Sequence, residues 1–318
     1  MSIAQPLELE AGLIVNQEFF DYPAMQESAK NWLFTARYRF DTGDFYGRHD
    51  GIQLYNLQFG HADRHEGMMF EGVSPNNCLT IVILQKSNGK VCINRHVMEV
   101  GDALIIDDIK PYDFSSSHHS VMAIISIDKS FLLKHTPWLL KSIDKKLKDS
   151  ENILSDTIEN EWQSILDNPS IYKNHDTLQA LENKIIDTIK SVFNGQVAEV
   201  QKLTKGEKTA FKIKSFLLNS LEDDITIRNL VKQFDISDKT LENSFKSLFG
   251  ITPKHFLNLL RLNRAHEDLL LADLKTVNIS DIAMKWGFSN FGRFSKDYKR
   301  LFSVLPSETL KKVPFNNN

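Results

Sequence analysis

The apolar residues of this chain change their period along its length. Up to about residue 127 they come in short runs or alternate with polar residues, at Leu54–Phe59, Leu79–Leu84, Lys90–Asn94, Ala103–Ile106 and Val121–Ile127. A period of two is that of a strand with one buried face. Turn-forming residues separate the runs: Gly60, Gly67, Gly72, Ser74-Pro75-Asn76-Asn77, Ser87-Asn88-Gly89, Gly101-Asp102 and Lys110-Pro111. Ser87-Asn88-Gly89-Lys90 predicts a tight hairpin, because Asn-Gly accepts the positive φ angles such a turn needs. Short strands at this spacing predict a sandwich or a small barrel.

From Lys129 the period becomes about 3.6. Phe131, Leu132 and His135, then Pro137 to Leu147, predict two short helices broken at Pro137. Ile153, Leu154, Ile158, Trp162, Ile165 and Leu166 form the stripe of another helix. Asp176 or Thr177 caps a further one, with Leu178, Leu181, Ile185, Ile186, Ile189, Val192 and Phe193 as its stripe and Asn194-Gly195 at its end. Leu178, Leu181, Ile185 and Val192 approach a heptad seam, so this helix either packs on the β-region or meets a second copy in a homodimer. Gln196–Gly206 is polar and reads as a linker.

Beyond the linker the pattern predicts seven helices. The first spans Lys208–Leu221. Thr226 caps Ile227–Phe234, Asp235-Ile236 is a turn, and Ser237 caps Asp238–Phe249, which Gly250 ends. Thr252-Pro253 opens a long helix to Leu271. The pattern then recurs, with Ile279–Trp286, a turn at Gly287-Phe288, Ser289 as cap, a helix to Leu301, and Pro306 opening the last one. Ile227, Leu230, Val231, Phe234 and Ser237 match Ile279, Ile282, Ala283, Trp286 and Ser289 at an offset of 52. Leu241, Phe245, Leu248, Phe249 and Pro253 match Phe294, Tyr298, Leu301, Phe302 and Pro306 at an offset of 53. The one-residue change is expected between Ser237 and Leu241. A helix, a turn and a longer helix written twice predict two DNA-reading modules in one polypeptide. The expected domains are 1–127, 128–195, 196–206 and 207–312, in an α+β chain: a β-barrel with a helical extension, then an all-α domain.

Composition refines this picture. Hydrophobic residues at 42% and charged residues at 25% are ordinary for a globular protein, and 318 residues suffice for two cores. No apolar run reaches the about 20 residues of a membrane span. MSIAQPLELEAG lacks the basic start and apolar core of a secretory signal, so a cytoplasmic protein with no membrane partner is expected. Cys78 and Cys92 are expected as reduced thiols. The net charge of −3 is unevenly spread: residues 205–318 hold 19 Lys and Arg against 13 Asp and Glu, a balance of +6. That leaves 19 basic and 28 acidic residues in 1–204, a balance of −9. A basic C-terminal third on an acidic body fits one domain that meets phosphate and one that does not.

The candidate chemistry of the β-region is sparse. His61, Asp63 and His65 alternate and would share one strand face, with His118 and His119 farther on. Metal-binding cupins use a close His-x-His, a following Glu and a later His; here the histidines stand four apart and Glu66 would point to the other face, so neither metal nor cofactor is expected. There is no Gly-rich phosphate loop, no G-x-S-x-G and no helical H-E-x-x-H, so no enzyme is expected. Phe59, Phe70, Ile81, Ile83, Ile93, Ile106 and Phe114 either line a pocket for an organic effector or fill a core. Arg37, Arg39, Arg48, His49, Arg64 and Arg95 are the polar candidates to hold such a ligand, and nothing in the sequence ranks them.

On the helix after Ser237 the outward residues are Asp238, Lys239, Glu242, Asn243 and Lys246; on the later helix they are Asn290, Phe291, Gly292, Ser295, Lys296, Lys299 and Arg300. Asn and Lys can hydrogen-bond base edges, Glu can accept from cytosine, and Phe can pack on a thymine methyl. Lys246, Lys296, Lys299 and Arg300 suit phosphate. The ordered set Leu241…Phe245-Lys246…Phe249-Gly250-Ile251-Thr252-Pro253, Leu260-Arg261-Leu262…Arg264-Ala265, Ile279-Ser280-Asp281-Ile282-Ala283…Gly287-Phe288 and Phe294-Ser295…Tyr298-Lys299…Phe302…Pro306-Ser307 resembles the DNA-binding domain of the AraC/XylS family over about 100 residues, a third of the chain. Val100-Gly101-Asp102 and the apolar run after it resemble a cupin-type jelly-roll strand, as in that family's regulatory domain. The ending Trp286-Gly287-Phe288…Gly292-Arg293-Phe294-Ser295…Pro306-Ser307-Glu308-Thr309-Leu310 is similar to a subset that includes ethanolamine-operon regulators.

The resemblance implies a cytoplasmic transcription activator that binds double-stranded DNA, contacts RNA polymerase and answers to a small-molecule effector. It implies base reading by Lys239, Glu242 and Asn243 from the first unit and by Phe291, Ser295 and Lys296 from the second, with Lys246, Lys299 and Arg300 on phosphate. Two departures stand out: Asn243 occupies a place where many members carry Arg, and Ser303 replaces the usual Gly after the second unit. Two other readings stay open: a cupin-type enzyme with an appended DNA-binding module, and a regulator controlled by a protein partner.

Overall fold

The computed structural model describes residues 10–29, 31–220, 225–272 and 277–311. The first nine residues, Leu221 and the side chain of Arg37 lie outside the described part. The chain forms two compact units, one of 1–37, 46–65 and 69–201, the other of 38–45, 66–68 and 202–318.

The first unit begins with β1 (Ile14–Phe19), α1 (Tyr22–Ser28), β2 (Leu33–Arg39), β3 (Gly47–Gln53), β4 (Leu57–Val73) and β5 (Cys78–Ser87). It continues through β6 (Val91–Ile93), β7 (His96–Met98), β8 (Asp102–Asp107), β9 (Tyr112–Asp128), α2 (Lys129–His135) and a 3-10 turn at Pro137–Ser142. Then come β10 (Lys146–Lys148), α3 (Ile153–Asp167) and α4 (His175–Phe193). Among the described residues the strands form one sheet in the order β1-β3-β4-β9-β5-β8-β10, with β2 on β4 and β6 on β7 and β9. The registered pairs are antiparallel.

Two features of the sheet's turns differ from expectation. β4 runs straight through Gly60, Gly67 and Gly72, which read as turn markers. Two of these glycines serve close approach: a Cβ on Gly60 would stand 1.9 Å from the Asp50 carbonyl, and one on Gly72 would stand 2.3 Å from the Tyr112 ring. Nor is Ser87-Asn88-Gly89-Lys90 a hairpin. β5 and β6 both pair with β9, Ser87 opposite Ser120 and Val91 opposite Ser116, so the segment is an irregularity in one continuous edge. Asn88 donates its N–H to the His119 carbonyl there, and Lys90 donates to Ser117 Oγ. Cys78 and Cys92 are both free.

The first core lies between the sheet and two helices. Ile52, Leu54, Leu57 and Phe59 pack in one cluster with Leu154, Ile158, Trp162 and Ile165 of α3 and Leu178, Leu181, Ile185 and Ile189 of α4. The stripe of α4 is therefore spent on the sheet. The α4 cap is Asn174, whose Oδ1 accepts from the N–H groups of Asp176 and Thr177, the two residues expected to cap. One buried polar residue fixes the register of α4: Glu182, fully buried, accepts from Asn56 N at 2.6 Å and from Asn56 Nδ2 at 2.9 Å. Of the segment expected as a linker, Gln196 bonds to Lys148, Glu199 to Lys146 and Gln201 to Val97, and Thr204 caps the following helix.

The second unit contains α5 (Lys205–Asn219), α6 (Ile227–Gln233), α7 (Asp238–Phe249), α8 (Pro253–Leu271), α9 (Ile279–Lys285), α10 (Phe291–Phe302) and α11 (Pro306–Lys311). α8 spans about 28 Å at 1.5 Å per residue, and both α7 and α9 pack on it. On one side Phe245, Phe249 and Phe256 meet ring to ring at 5.2–5.6 Å, with Phe211 on Phe249. On the other, Phe294, Tyr298 and Phe302 cluster on His266, whose ring stacks on Phe302 at 4.1 Å.

Replacing Glu182 by Ala removes the buried acceptor of the Asn56 N–H and side-chain amide. We expect a loss of about 1–3 kcal/mol, read by urea unfolding of the full chain; an unchanged midpoint would show that the pair does not hold α4.

Candidate nucleic-acid surface and a cavity

The two helix-turn-helix units are built by the same local devices. Thr226 Oγ1 accepts from Asn229 N to start α6, and Ser237 Oγ accepts from Thr240 N to start α7. Asn278 and Asn290 do the same for α9 and α10, with Asn290 Oδ1 accepting from Arg293 N at 2.9 Å. Each turn has one residue in the left-handed region, Asp235 at φ +47° and Gly287 at φ +78°. The next N–H closes the turn, Ile236 onto the Val231 carbonyl and Phe288 onto the Ala283 carbonyl. The expected cap Ser289 is thus corrected to Asn290. The equivalent of Ser237 is Asn290, so Ser289 is the extra residue and the change of offset lies inside the turn, before the cap. The ends also correspond: Gly250 and Ser303 both take the left-handed cap, at φ +71° and +62°, so the turn after α10 forms without glycine.

Leu241, Phe245 and Leu248 of α7 and Phe294, Tyr298 and Leu301 of α10 are buried. Lys239, Glu242, Asn243 and Lys246 are exposed on α7; Phe291, Lys296, Lys299 and Arg300 are exposed on α10, and Ser295 is half-buried. The charges differ. On α7, Asp238 and Glu242 cancel Lys239 and Lys246, and Lys246 Nζ lies 2.6 Å from Glu242 Oε1. On α10, Arg293, Lys296, Lys299 and Arg300 outweigh Asp297, which pairs with Arg293 at 3.6 Å and Arg300 at 3.8 Å. Arg293, 77% exposed at its side chain, was not picked out in the sequence; its i, i+3, i+7 row with Lys296 and Arg300 is the signal that marks it. Trp286 Nε1 and Lys285 Nζ both bond Asp268 Oδ2 at 2.8 Å, tying α9 to α8.

In the first unit, β1, β3 and β4 form a wall with two faces. Gly51 pairs with both Val15 and Gly60, and His49 with Ala62. These residues, with Arg64, Trp32 and Phe34, line a cavity of about 100 Å³. The alternate residues Ile52, Leu57 and Phe59 face the helical core. Within the cavity lining, His49 Nδ1 is 2.8 Å from Ser28 Oγ. Ser28 Oγ donates to the Met25 carbonyl, so it accepts from His49, and Nδ1 carries the ring proton. His49 Nε2 is buried with no hydrogen-bond partner. Burial, and then the nearby Arg64 charge, hold the His49 pKa well below its usual value, so the ring is neutral.

The other sequence candidates scatter. Ile81 and Ile83 fill the core. Arg48 is half-exposed and pairs with Asp50 at 3.3 Å; Arg95 is exposed; Arg39 belongs to the second unit. Phe70 and Phe114 lie beneath the Arg64 guanidinium, each 5.1 Å from it. His61 leaves the other two members of its alternating set: its Nδ1 meets Asp50 at 2.7 Å, and its Nε2 lies 3.4 Å from Glu159 without hydrogen-bond geometry. Asp63 and His65 instead join His119, with their ligand-capable atoms within 4.8 Å of one another. Asp63 Oδ1 is 2.8 Å from His119 Nε2 and 3.5 Å from His65 Nε2. This partly exposed trio is the set among the described residues that could hold a metal ion.

Residues 230–312 match the helix-turn-helix domain family. Over 94 residues the chain is 36% identical to the probable thc operon regulatory protein of Rhodococcus erythropolis, a stretch covering 30% of this chain and 28% of that one. It is 29% identical over 108 residues to the XylDLEGF operon transcriptional activator of Pseudomonas putida, covering 34% of each. The chain therefore matches only about a third or less of these curated relatives' length. A crystal structure of a probable AraC family transcriptional regulator from Rhodopseudomonas palustris is similar at 29% identity and a TM-score of 0.31, covering 33% of this chain and 97% of that one. Among the described residues no helix is long and apolar enough to cross a membrane.

A neutral buried His49 makes stability depend on pH. Its folded pKa lies below the unfolded value of 6.5, so the unfolded chain takes the proton first as pH falls. Stability is full above about pH 6.5 and declines below it, by up to about 1.4 kcal/mol per pH unit from this group. His49→Gln should remove that part of the slope; parallel pH profiles for the two proteins would refute it.

Proposed function

We propose that this chain, whose C-terminal domain is a helix-turn-helix domain of the AraC type, is a sequence-specific DNA-binding regulator of transcription. The observation that carries the reading is the pair of capped units α6–α7 and α9–α10 in one polypeptide, inside a stretch that matches this domain family. Each second helix would enter a major-groove segment, with α8 as the spacer; its length of about 28 Å is close to one DNA turn of about 34 Å. Lys239, Glu242, Asn243, Phe291, Ser295 and Lys296 would read bases, and Lys246, Lys299 and Arg300 would hold phosphates. Arg293 joins the phosphate set by its place in the basic row of α10. Glu242 would have to exchange Lys246 for a base, a small cost, since such an exposed pair is worth about 0.3–0.5 kcal/mol.

The remaining parts of the reading rest on less. A cupin-like barrel for the first unit is supported by the long antiparallel strands and the cavity beside β1, β3 and β4. That cavity would hold a small-molecule effector. Activation, contact with RNA polymerase and action in the cytoplasm follow from the resemblance to transcriptional activators. A homodimer would need a surface other than the buried stripe of α4. The ethanolamine-operon subset has support from the Trp286–Leu310 segment alone. An enzyme with an appended DNA module is favoured by one observation, the Asp63, His65 and His119 trio; metal analysis of purified protein decides it, stoichiometric metal favouring the enzyme.

Selection of bound sequences from a random duplex pool tests the reading. A bipartite consensus with its halves about one turn apart is the expected result; no enrichment would sink it. On the selected site, Asn243→Ala and Lys296→Ala should each cost about 1–3 kcal/mol and spare binding to scrambled DNA. Equal losses on both DNAs would assign these residues to phosphate. Lys299→Ala should lower the slope of log K against log salt by about one; an unchanged slope would reject the phosphate contact.

A further inference from the structure

The cavity holds an unanswered charge. Arg64 is 3% exposed and lies on the cavity wall. Burial pulls its pKa down to about 10, which leaves it charged at neutral pH. Its guanidinium sits over the rings of Phe70 and Phe114, and NH1 makes a long contact of 3.9 Å with the Met122 sulfur. Nε has no hydrogen-bond partner, and no carboxylate among the described residues forms an ion pair with the group. Asp63, its neighbour on β4, is committed to His119 and His65 on the other face of the strand. Aromatic faces offset part of the desolvation of such a cation; a bound anion offsets far more.

The rest of the lining defines what the anion is attached to. Trp32, Phe34 and Ile124 offer apolar surface, and Gly51 and Gly60 leave bare backbone in the wall. A volume of about 100 Å³ restricts the ligand to a small molecule, since a cavity of about 150 Å³ takes up benzene. The proton-free Nε2 of His49 matches a hydroxyl or N–H donor on the ligand. The planar fork of an arginine is suited to a carboxylate, which it can grip with two parallel hydrogen bonds.

We infer that the cavity binds a small organic monocarboxylate, with its carboxylate on Arg64 and its apolar body against Trp32 and Phe34. The inference rests on reading this cavity as the effector site, and it names the effector's class.

Thermal unfolding and calorimetry of the full-length protein with hexanoate, phenylacetate, their uncharged amides and inorganic phosphate test it. Hexanoate or phenylacetate should raise the melting temperature and bind at least tenfold more tightly than its amide, and phosphate should do nothing. Arg64→Met should abolish the response to the acids. It should also leave the ligand-free melting temperature equal or higher, because it removes an unpaired buried charge; a purely structural arginine would give a lower one. Arg64→Lys, which keeps the charge and loses the fork, should retain a weakened response. Acid and amide binding equally well would overturn the assignment of a carboxylate while leaving the cavity an effector site. Phosphate matching the acids would overturn the organic body. No response from either organic series would overturn the carboxylate and the effector cavity together, with the DNA selection as the separate measure of the C-terminal reading.

Discussion

A strand presents successive side chains to opposite sides, and the first unit is organised by that constraint. β3 and β4 must build a hydrocarbon core on one side and a cavity that includes His49 and Arg64 on the other. The register Asp50 to His61, Gly51 to Gly60 and Ile52 to Phe59 assigns each residue to its side with no freedom left over. Shifting it by one residue would put Ile52 and Phe59 into the cavity and His49 and Arg64 against α3 and α4. The glycines belong to the same arrangement, because two bare positions opposite each other allow the strands to approach where side chains would collide.

The second unit solves the same requirement with helices. Both α7 and α10 are anchored by an aromatic wedge on α8, but the two anchors differ in chemistry. Around α7 the wedge is hydrocarbon, Phe245, Phe249 and Phe256. Around α10 it carries directional bonds: Tyr298 Oη donates to Thr309 Oγ1 at 2.8 Å and meets His266 Nδ1 at 2.5 Å. Hydrocarbon packing tolerates small rotations, whereas a chain of hydrogen bonds fixes an angle. α10, with its higher charge, is the helix held by directional bonds.

How far the sequence foretold this depended on whether local pattern and tertiary demand agreed. In the C-terminal domain they agreed: caps at Thr226 and Ser237, Gly250 as terminator and the aromatic spacing are all local signals. The misassigned cap at Ser289 came from aligning Ser with Ser, where backbone geometry pairs Ser237 with Asn290. In the β-region they conflicted. β3 reads GRHDGIQ, which has the composition of a turn, and becomes a central strand because its neighbours supply the burial. The trio of Asp63, His65 and His119 joins positions more than fifty residues apart that only the sheet order brings together. Arg64 stood among six unranked candidates, since burial and the absence of an acidic partner are facts of tertiary structure.

The extra residue Ser289 and the unequal charges of α7 and α10 have a consequence for symmetry. A dimer built from one helix-turn-helix per chain carries a two-fold axis and asks for a palindrome. Two unlike units fixed in order along one polypeptide carry no such axis. A duplex read by this domain would be read with a direction, head distinguishable from tail, so that a single bound copy would already tell one side of its site from the other.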